Sequence, residues 1–186
     1  LGLVFFSEGC KDSKTGKTSS PPPLKSIGEG AFLNCRSLAF FKIPSSLNYL
    51  GPRAFEGCKT LQTLHVPEGV TVIEAKTFKG CSSLQMVKMK LTVTEFRSSS
   101  FEGCCKLAEA KIPEGIRSIG PRAFFGCESL GAIHIPSTVR EVPDETFMNC
   151  TALKDVEIPD NLQRIGHKAF ANCPDLNVID LTNKAT

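Results

Sequence analysis

Seven of the nine cysteines in this 186-residue chain stand at one fixed interval. Each follows the one before it by 23 residues, and no residue is inserted or deleted between the first and the last. A fixed period of this length predicts a solenoid, because a single short unit cannot bury its own apolar face and must stack on copies of itself. The seven ladder cysteines are Cys35, Cys58, Cys81, Cys104, Cys127, Cys150 and Cys173.

Other apolar residues keep the same period. A phenylalanine stands three residues before each ladder cysteine, as Phe124 does before Cys127, and a leucine stands three residues after it, as Leu130 does. We therefore divide the chain into an array of seven 23-residue repeats over 24–181 and a C-terminal tail over 182–186. Residues 1–23 are expected to form a degenerate N-terminal half repeat, or cap, followed by an exposed loop rich in Lys, Ser and Pro.

The pattern inside one repeat predicts its path. Between Leu130 and Ile135 apolar and polar residues alternate, which indicates a short strand, and Pro136 ends it because proline cannot donate to a sheet. The return path spaces its apolar residues by three and four, which favours an extended or bent piece and then a helical turn at Ala123 and Phe124. The predicted fold class is α/β, with a parallel sheet of about seven short strands on one side and helical or irregular turns on the other.

We call the exposed side of the predicted sheet the strand face and the opposite side the turn face. The bulk of the phenylalanine column on the turn side is expected to splay the repeats, so that the strand face becomes concave.

The recurring pattern I-G-x-x-A-F-x-G-C-x-S-L-x-x-I-x-I-P, seen at Ile119 to Pro136 and in part at Ile165 to Phe170, resembles the BspA-like, or treponemal, leucine-rich repeats. The resemblance covers residues 24–181 and implies a right-handed solenoid. It also implies protein recognition without catalysis, as in surface or secreted ligand-binding and adhesion modules. An intracellular or organellar assembly is the alternative location.

The ladder cysteines are interpreted as packing residues. Each is expected to point inward beside its copies as a reduced thiol whose weak S–H meets a backbone carbonyl. Cys10 and Cys105 fall outside the ladder and are the candidates for reactivity or pairing.

The strand face carries the first candidate site. Side chains seven residues after each ladder cysteine are expected to be exposed, and the first five of them are basic or titratable. We interpret this strip as a binding surface for a protein or glycan with acidic groups; the alternative is a sheet face that carries charges only to stay solvated. The candidate residues are Lys42, His65, Lys88, Lys111 and His134, with Met86 and Phe40 in the neighbouring exposed column.

Two further surfaces are candidates. Asp155, Glu157 and Asp180 are expected to cluster near the C-terminal end, as a site for a cation or a basic partner segment or simply as a polar end of the array. On the turn face, an apolar stripe of Phe125, Met148 and Ala171 suggests docking onto another protein, and partial burial between repeats is the equal alternative.

One repeat departs from the pattern between Cys81 and Cys104. Lys90 replaces the proline, and Leu91 replaces the polar residue that follows it. Met86 and Met89 add flexible apolar surface. We expect either drift in a middle repeat or a partner contact in the middle of the array.

Composition argues against several function classes. A formal net charge of +3 with mixed signs gives no support for nucleic-acid binding. No apolar run approaches the roughly 20 residues that span a bilayer, so no direct membrane insertion is expected. The histidines do not stand with Ser and Asp as a triad needs, and no cysteine pair has zinc-ligand spacing. The sequence thus predicts a non-enzymatic protein-interaction module without metal or cofactor, or alternatively a structural subunit of a large assembly.

Overall fold

The structure is a computed structural model that describes residues 22–177, 179 and 181. The predicted N-terminal half repeat with Cys10, the acidic residue Asp180 and the tail 182–186 lie outside the described residues. Within them the chain forms short parallel strands joined by turns, and none forms a helix that could cross a membrane.

The strand face is built from three-residue strands. In each the central side chain is buried and the outer two are exposed, as the alternation predicted. Neighbouring strands pair in parallel with a register of one repeat, so that Thr63 lies opposite Met86 and Ala132 opposite Asp155. Single bridges extend this sheet from Phe40 to Thr63 and from Glu109 to Ala132. The strands are β3 (Thr63–His65), β5 (Met86–Lys88), β8 (Ala132–His134) and β10 (Asp155–Glu157).

A second series of parallel strands runs along the array, where the sequence indicated only an extended or bent piece. Each strand has two residues, the second being an inward-facing apolar side chain in all but the last strand. Four pairs of adjacent strands in this series pair at the same register, for example Ile27 with Leu50, whereas Tyr49–Leu50 does not pair with Val72–Ile73, nor Ser118–Ile119 with Glu141–Val142. The strands are β1 (Ser26–Ile27), β2 (Tyr49–Leu50), β4 (Val72–Ile73), β6 (Glu95–Phe96), β7 (Ser118–Ile119), β9 (Glu141–Val142) and β11 (Arg164–Ile165).

The turn face corrects the predicted helical turn at the Ala-Phe pair. In the described repeats this segment is a run of turns, because its backbone N–H groups point alternately within and between repeats. The N–H groups of Ala54 and Glu56 donate within their own repeat, to the carbonyls of Gly51 and Arg53. The N–H group of Phe55, which lies between them, donates to the carbonyl of Thr77 in the following repeat at 2.9 Å. A helix would direct all of these donors along its own axis.

Two residues per repeat on the turn face have left-handed backbone geometry, which also excludes a continuous right-handed helix. Arg53 has φ 57° and Gly57, which precedes the ladder cysteine, has φ 73°. In every described repeat the residue before the ladder cysteine has a positive φ and is either Gly or Asn. These two residue types tolerate positive φ best.

The core is a phenylalanine stack beside the cysteine ladder. Rings of adjacent repeats lie nearly parallel, with centroids 5.3 Å apart between Phe101 and Phe124 and 5.4 Å apart between Phe124 and Phe147. Each ladder thiol from Cys58 to Cys173 donates to the phenylalanine carbonyl of the preceding repeat, as Cys104 does to Phe78 at 3.2 Å. The predicted role of the ladder cysteines in packing is therefore confirmed.

Candidate functional site

The strand face carries a strip of exposed basic side chains, which we call the basic strip. The alternation places Leu64 and Val87 in the core, so that His65 and Lys88 on either side of them face solvent. Lys42 and Lys111 occupy the same position in their repeats and are also exposed. None of the four forms an ion pair with any described residue.

Large apolar side chains lie beside this strip. Phe40 keeps 69% of its surface exposed and Met86 40%, and each stands two residues before a strip lysine on the same face. Leu91, in the turn that follows β5, is 70% exposed. Equivalent positions in other repeats carry the polar residues Glu68 and Glu114, so Leu91 is a local departure from the pattern.

His134 does not continue the unpaired strip. Its Nδ1 lies 2.7 Å from Glu157 Oε2 and its Nε2 lies 3.2 Å from Glu114 Oε1, which places the ring between two carboxylates. The three side chains line a shallow open cavity of about 540 Å³ that also reaches Asp160 and Asn161. The unpaired basic strip therefore ends at Lys111.

The three acidic candidates, Asp155, Glu157 and Asp180, are not equivalent in the structure. Asp155 and Glu157 are both exposed at the two ends of β10, and Glu157 is engaged by His134. Asp180 lies outside the described residues. No three His, Cys, Asp or Glu side chains among residues 22–177, 179 and 181 come together in an arrangement that could hold a metal ion.

The apolar stripe of the turn face is half-buried. Phe125, Met148 and Ala171 all retain only part of their exposure, and the guanidinium of Arg122 covers the ring of Phe125 at 3.9 Å from its centroid. This is the partial burial that the sequence left open as the alternative to docking.

Charges on the turn face form a connected network. Glu102 accepts from Arg122 at 3.0 Å and from Lys79 at 3.1 Å, and Arg122 also pairs with Glu145 of the next repeat. Burial alone would raise the pKa of Glu102, but hydrogen bonds from Arg122, Ser99 and Lys79 outweigh burial and hold that pKa below its usual value. The network links repeats to each other, and sequence analysis had not identified it.

The described thiols from Cys58 to Cys173 have pKa values above the ordinary range of cysteine. Burial raises the pKa of Cys58 to about 11 and that of Cys150 to about 12. Cys105, which the sequence singled out, is half-buried; burial and the neighbouring carboxylate of Glu128 raise its pKa as well. A thiol with a raised pKa is a poor nucleophile because little of it is thiolate at neutral pH.

The sheet of the strand face is interrupted in the middle of the array. β5 pairs with β3 on one side, but no backbone hydrogen bond joins its described residues, Met86–Lys88, to residues 109–111 of the following repeat. The second series of strands continues through the same repeats without a break, from β4 through β6 to β7. We call this gap the seam. Its sequence signal is the replacement of the proline by Lys90 directly after β5.

Comparisons with known proteins agree with this architecture. The family model for the BspA type leucine rich repeat region matches residues 7–130 and 94–186, with six copies. No curated protein is similar enough to the chain to count as a match.

Solved structures with the same fold come from several bacteria. A leucine rich repeat protein of T. pallidum is 28% identical with a TM-score of 0.80, over 83% of this chain and 72% of that one. A leucine-rich repeat protein of Bacteroides ovatus is 31% identical with a TM-score of 0.65, over 77% of this chain and 43% of that one. A leucine-rich repeat protein of Eubacterium ventriosum, 20% identical with a TM-score of 0.54 over 89% of this chain and 60% of that one, shares the fold.

The fold and its exposed strip define a class of protein, the parallel β-solenoids built from short sequence repeats. Within that class the chain belongs to the BspA-type leucine-rich-repeat family, since the family model matches nearly its whole length. This is the family that its sequence pattern resembles.

Proposed function

We propose that the protein is a recognition module that binds an acidic segment of another protein along the strand face, in the manner of an adhesion or ligand-binding domain. The observation that carries the proposal is the strip of Lys42, His65, Lys88 and Lys111, all exposed and without an ion-pair partner among the described residues. Unpaired cations on one face attract anionic groups and speed their encounter with the surface.

The exposed apolar side chains favour a protein ligand. Phe40 and Met86 alternate with the strip lysines on the same face, and protein interfaces are enriched in aromatic residues and methionine. A leucine-rich-repeat array also supplies an extended surface, which suits a partner that contacts several repeats at once.

The alternative role, a structural subunit that docks through the turn face, receives less support. The stripe of Phe125, Met148 and Ala171 is half-buried, and the charges around it are engaged with one another. A surface whose polar groups are already paired has less to offer a partner than one whose groups are unpaired.

We also propose three finer features of the array, namely a right-handed superhelix, seven repeats, and curvature that makes the strand face concave. The stacked phenylalanines on the turn side support the curvature, because rings held 5.1–5.9 Å apart separate the repeats there by more than the about 4.8 Å between paired strands.

An array of synthetic peptides of acidic, basic and neutral composition tests the proposal. The strand-face variant is Lys42→Glu with Lys88→Glu and Lys111→Glu. The matched control changes the three exposed lysines Lys59, Lys76 and Lys168 to glutamate, which gives the same net charge away from the strip.

The unaltered protein is expected to select acidic peptides, the strand-face variant to lose that selection and the control to keep it. Raising the salt concentration should weaken the selection, because exposed charges are screened. Equal loss of selection in both variants, or no preference for acidic peptides at all, would overturn the proposal.

A further inference from the structure

The seam between β5 and the following repeat is the place on the strand face where the array leaves its own interactions incomplete. Backbone groups of Met86–Lys88 on that side have no hydrogen-bond partner in the adjacent repeat, although the second strand series is intact there. Unpaired strand edges bind water or a ligand, because backbone N–H and C=O groups need partners.

Two lysines flank the seam. Lys88 ends β5 and Lys111 holds the equivalent position one repeat later, so two full positive charges stand on adjacent repeats of the same column. Like charges on neighbouring repeats repel each other, and neither lysine has an ion-pair partner in the described residues. Further along the same column the arrangement is different, since His134 contacts the carboxylate of Glu157.

Apolar surface lies on the same repeat. Met86 precedes Lys88 by two residues on the exposed face, and Leu91 follows it by three in the turn, with 70% of its surface exposed. The nearby cation Lys90 is engaged with Glu68 at 3.4 Å, so it does not add to the unpaired charge. Glu109 is exposed two residues before Lys111, so a negative charge borders the two lysines on that side.

We propose that the seam is the anchor point of the ligand, and that it takes one aspartate or glutamate side chain together with an adjacent bulky apolar side chain of the partner. This inference rests on the proposed function and deepens it. The two ammonium groups each donate to an oxygen of the one carboxylate, which relieves their mutual repulsion. The apolar side chain packs on Met86 and Leu91, and methionine adapts its shape to such a contact.

Two peptides separate the charge contribution from the apolar one. Both have eight residues, are otherwise Ser and Gly, and carry a single glutamate; the first has a leucine next to the glutamate and the second has a serine there. Binding to the full chain is measured by fluorescence anisotropy, with thermal unfolding of every variant as the check on folding.

Three variants are compared with the unaltered chain. Lys88→Gln with Lys111→Gln removes the anchor charges, and Lys59→Gln with Lys76→Gln is a control that removes two exposed lysines outside the strip. Met86→Thr with Leu91→Ser installs residue types found at these two positions in other repeats, namely those of Thr63 and Ser137.

The anchor-charge variant is expected to weaken binding of both peptides by at least about tenfold, and the Lys59 and Lys76 control by less than about twofold. The Met86 and Leu91 variant should bind the two peptides equally, at the affinity that the unaltered chain shows for the serine peptide.

Other results would contradict either the anchor alone or the proposed function as well. If the anchor-charge variant keeps the affinity of the unaltered chain and the triple Lys42, Lys88 and Lys111 variant loses it, the anchor fails and the proposed function stands. If the control weakens binding as much as the anchor-charge variant, both fail. If acidic peptides bind and no strand-face variant changes their affinity, both fail. If heparin binds and neither peptide does, the ligand is an acidic polysaccharide, and the protein partner is wrong.

Discussion

The two faces of this solenoid differ in how many of their polar groups form hydrogen bonds and ion pairs within the molecule. On the turn face, backbone donors reach the next repeat without interruption from Gly30 to Asn149, and the charges around Glu102 pair across repeats. On the strand face, the hydrogen-bond pattern breaks at the seam, and the basic strip has no partner among the described residues.

This difference separates stability from recognition. Phenylalanines, thiols and paired charges on the turn side hold one repeat to the next, whereas side chains on the strand face can change without disturbing that stack. A repeat array can divide its surface in this way because each repeat contributes the same positions to each face.

The strongest test of the division is to truncate one phenylalanine on each side. Phe101→Ala removes a fully buried ring from the middle of the stack and should lower the free energy of unfolding by about 3–5 kcal/mol. Phe40→Ala, at an exposed ring, should change it by less than about 0.5 kcal/mol. Urea denaturation measures both, and similar values for the two variants would contradict the division.

Thiol chemistry sharpens the same comparison. Because burial raises the pKa of Cys58 to about 11, its thiolate fraction at pH 8 is about a hundredfold lower than that of an ordinary thiol. Iodoacetamide should therefore label Cys58 and Cys150 slowly in the folded chain and rapidly in urea, as mass spectrometry of the digested protein would show. Rapid labelling of both without urea would mean that the ladder is open to solvent.

The charge network of the turn face should contribute a smaller amount. Glu102→Gln removes a carboxylate whose side chain is only 12% exposed and whose partners are Arg122 and Lys79, and should cost about 1–2 kcal/mol at pH 7. The folded-state pKa of Glu102 is lowered, so its contribution is complete above the unfolded-state pKa and is lost as pH falls through the folded-state pKa.

The difference between the unaltered chain and Glu102→Gln should accordingly shrink as the pH is lowered below about 4.5, the ordinary range of a glutamate. Unfolding measured at pH 7 and at pH 3 tests this sign. A difference that grows in acid would show that the carboxylate is not stabilised by its cationic partners.

The smallest effect is expected on the strand face. Lys111→Gln relieves the repulsion with Lys88 and should raise the free energy of unfolding by about 0.2–0.5 kcal/mol. Repeating the measurement in high salt should remove most of the gain, because exposed charges are screened. A clear loss of stability would indicate that Lys111 has a structural partner.

Period and alternation were sufficient to predict the parallel array and its inward columns. The buried positions of Phe124, Cys127 and Ile133 follow from the 23-residue spacing and the polar residues between them. The exposure of the strip from Lys42 to Lys111 follows from the same alternation.

The turn conformation could not be read from that pattern. Spacing of three and four residues is shared by helices and by successive turns, and the choice is made by hydrogen bonds to the next repeat. Non-glycine residues such as Arg53 and Arg122 adopt positive φ there, which their side chains give no reason to expect.

The pairing of charged side chains could not be predicted from the sequence either. Arg122 and Glu102 are 20 residues apart and belong to different columns, so that only the stacking geometry brings them together. His134 was assigned to the basic strip by its column, and Glu114 and Glu157 draw it into an acidic setting instead.

The constant register has a consequence for how the chain folds. The described hydrogen bonds between repeats join residues 20 to 26 positions apart, so no part of the array needs to wait for a distant segment. Folding can begin at any pair of neighbouring repeats and propagate outward in both directions, with a low cost in loop closure at each step. The intact second strand series at the seam keeps that propagation continuous through the repeat where the strand face is open.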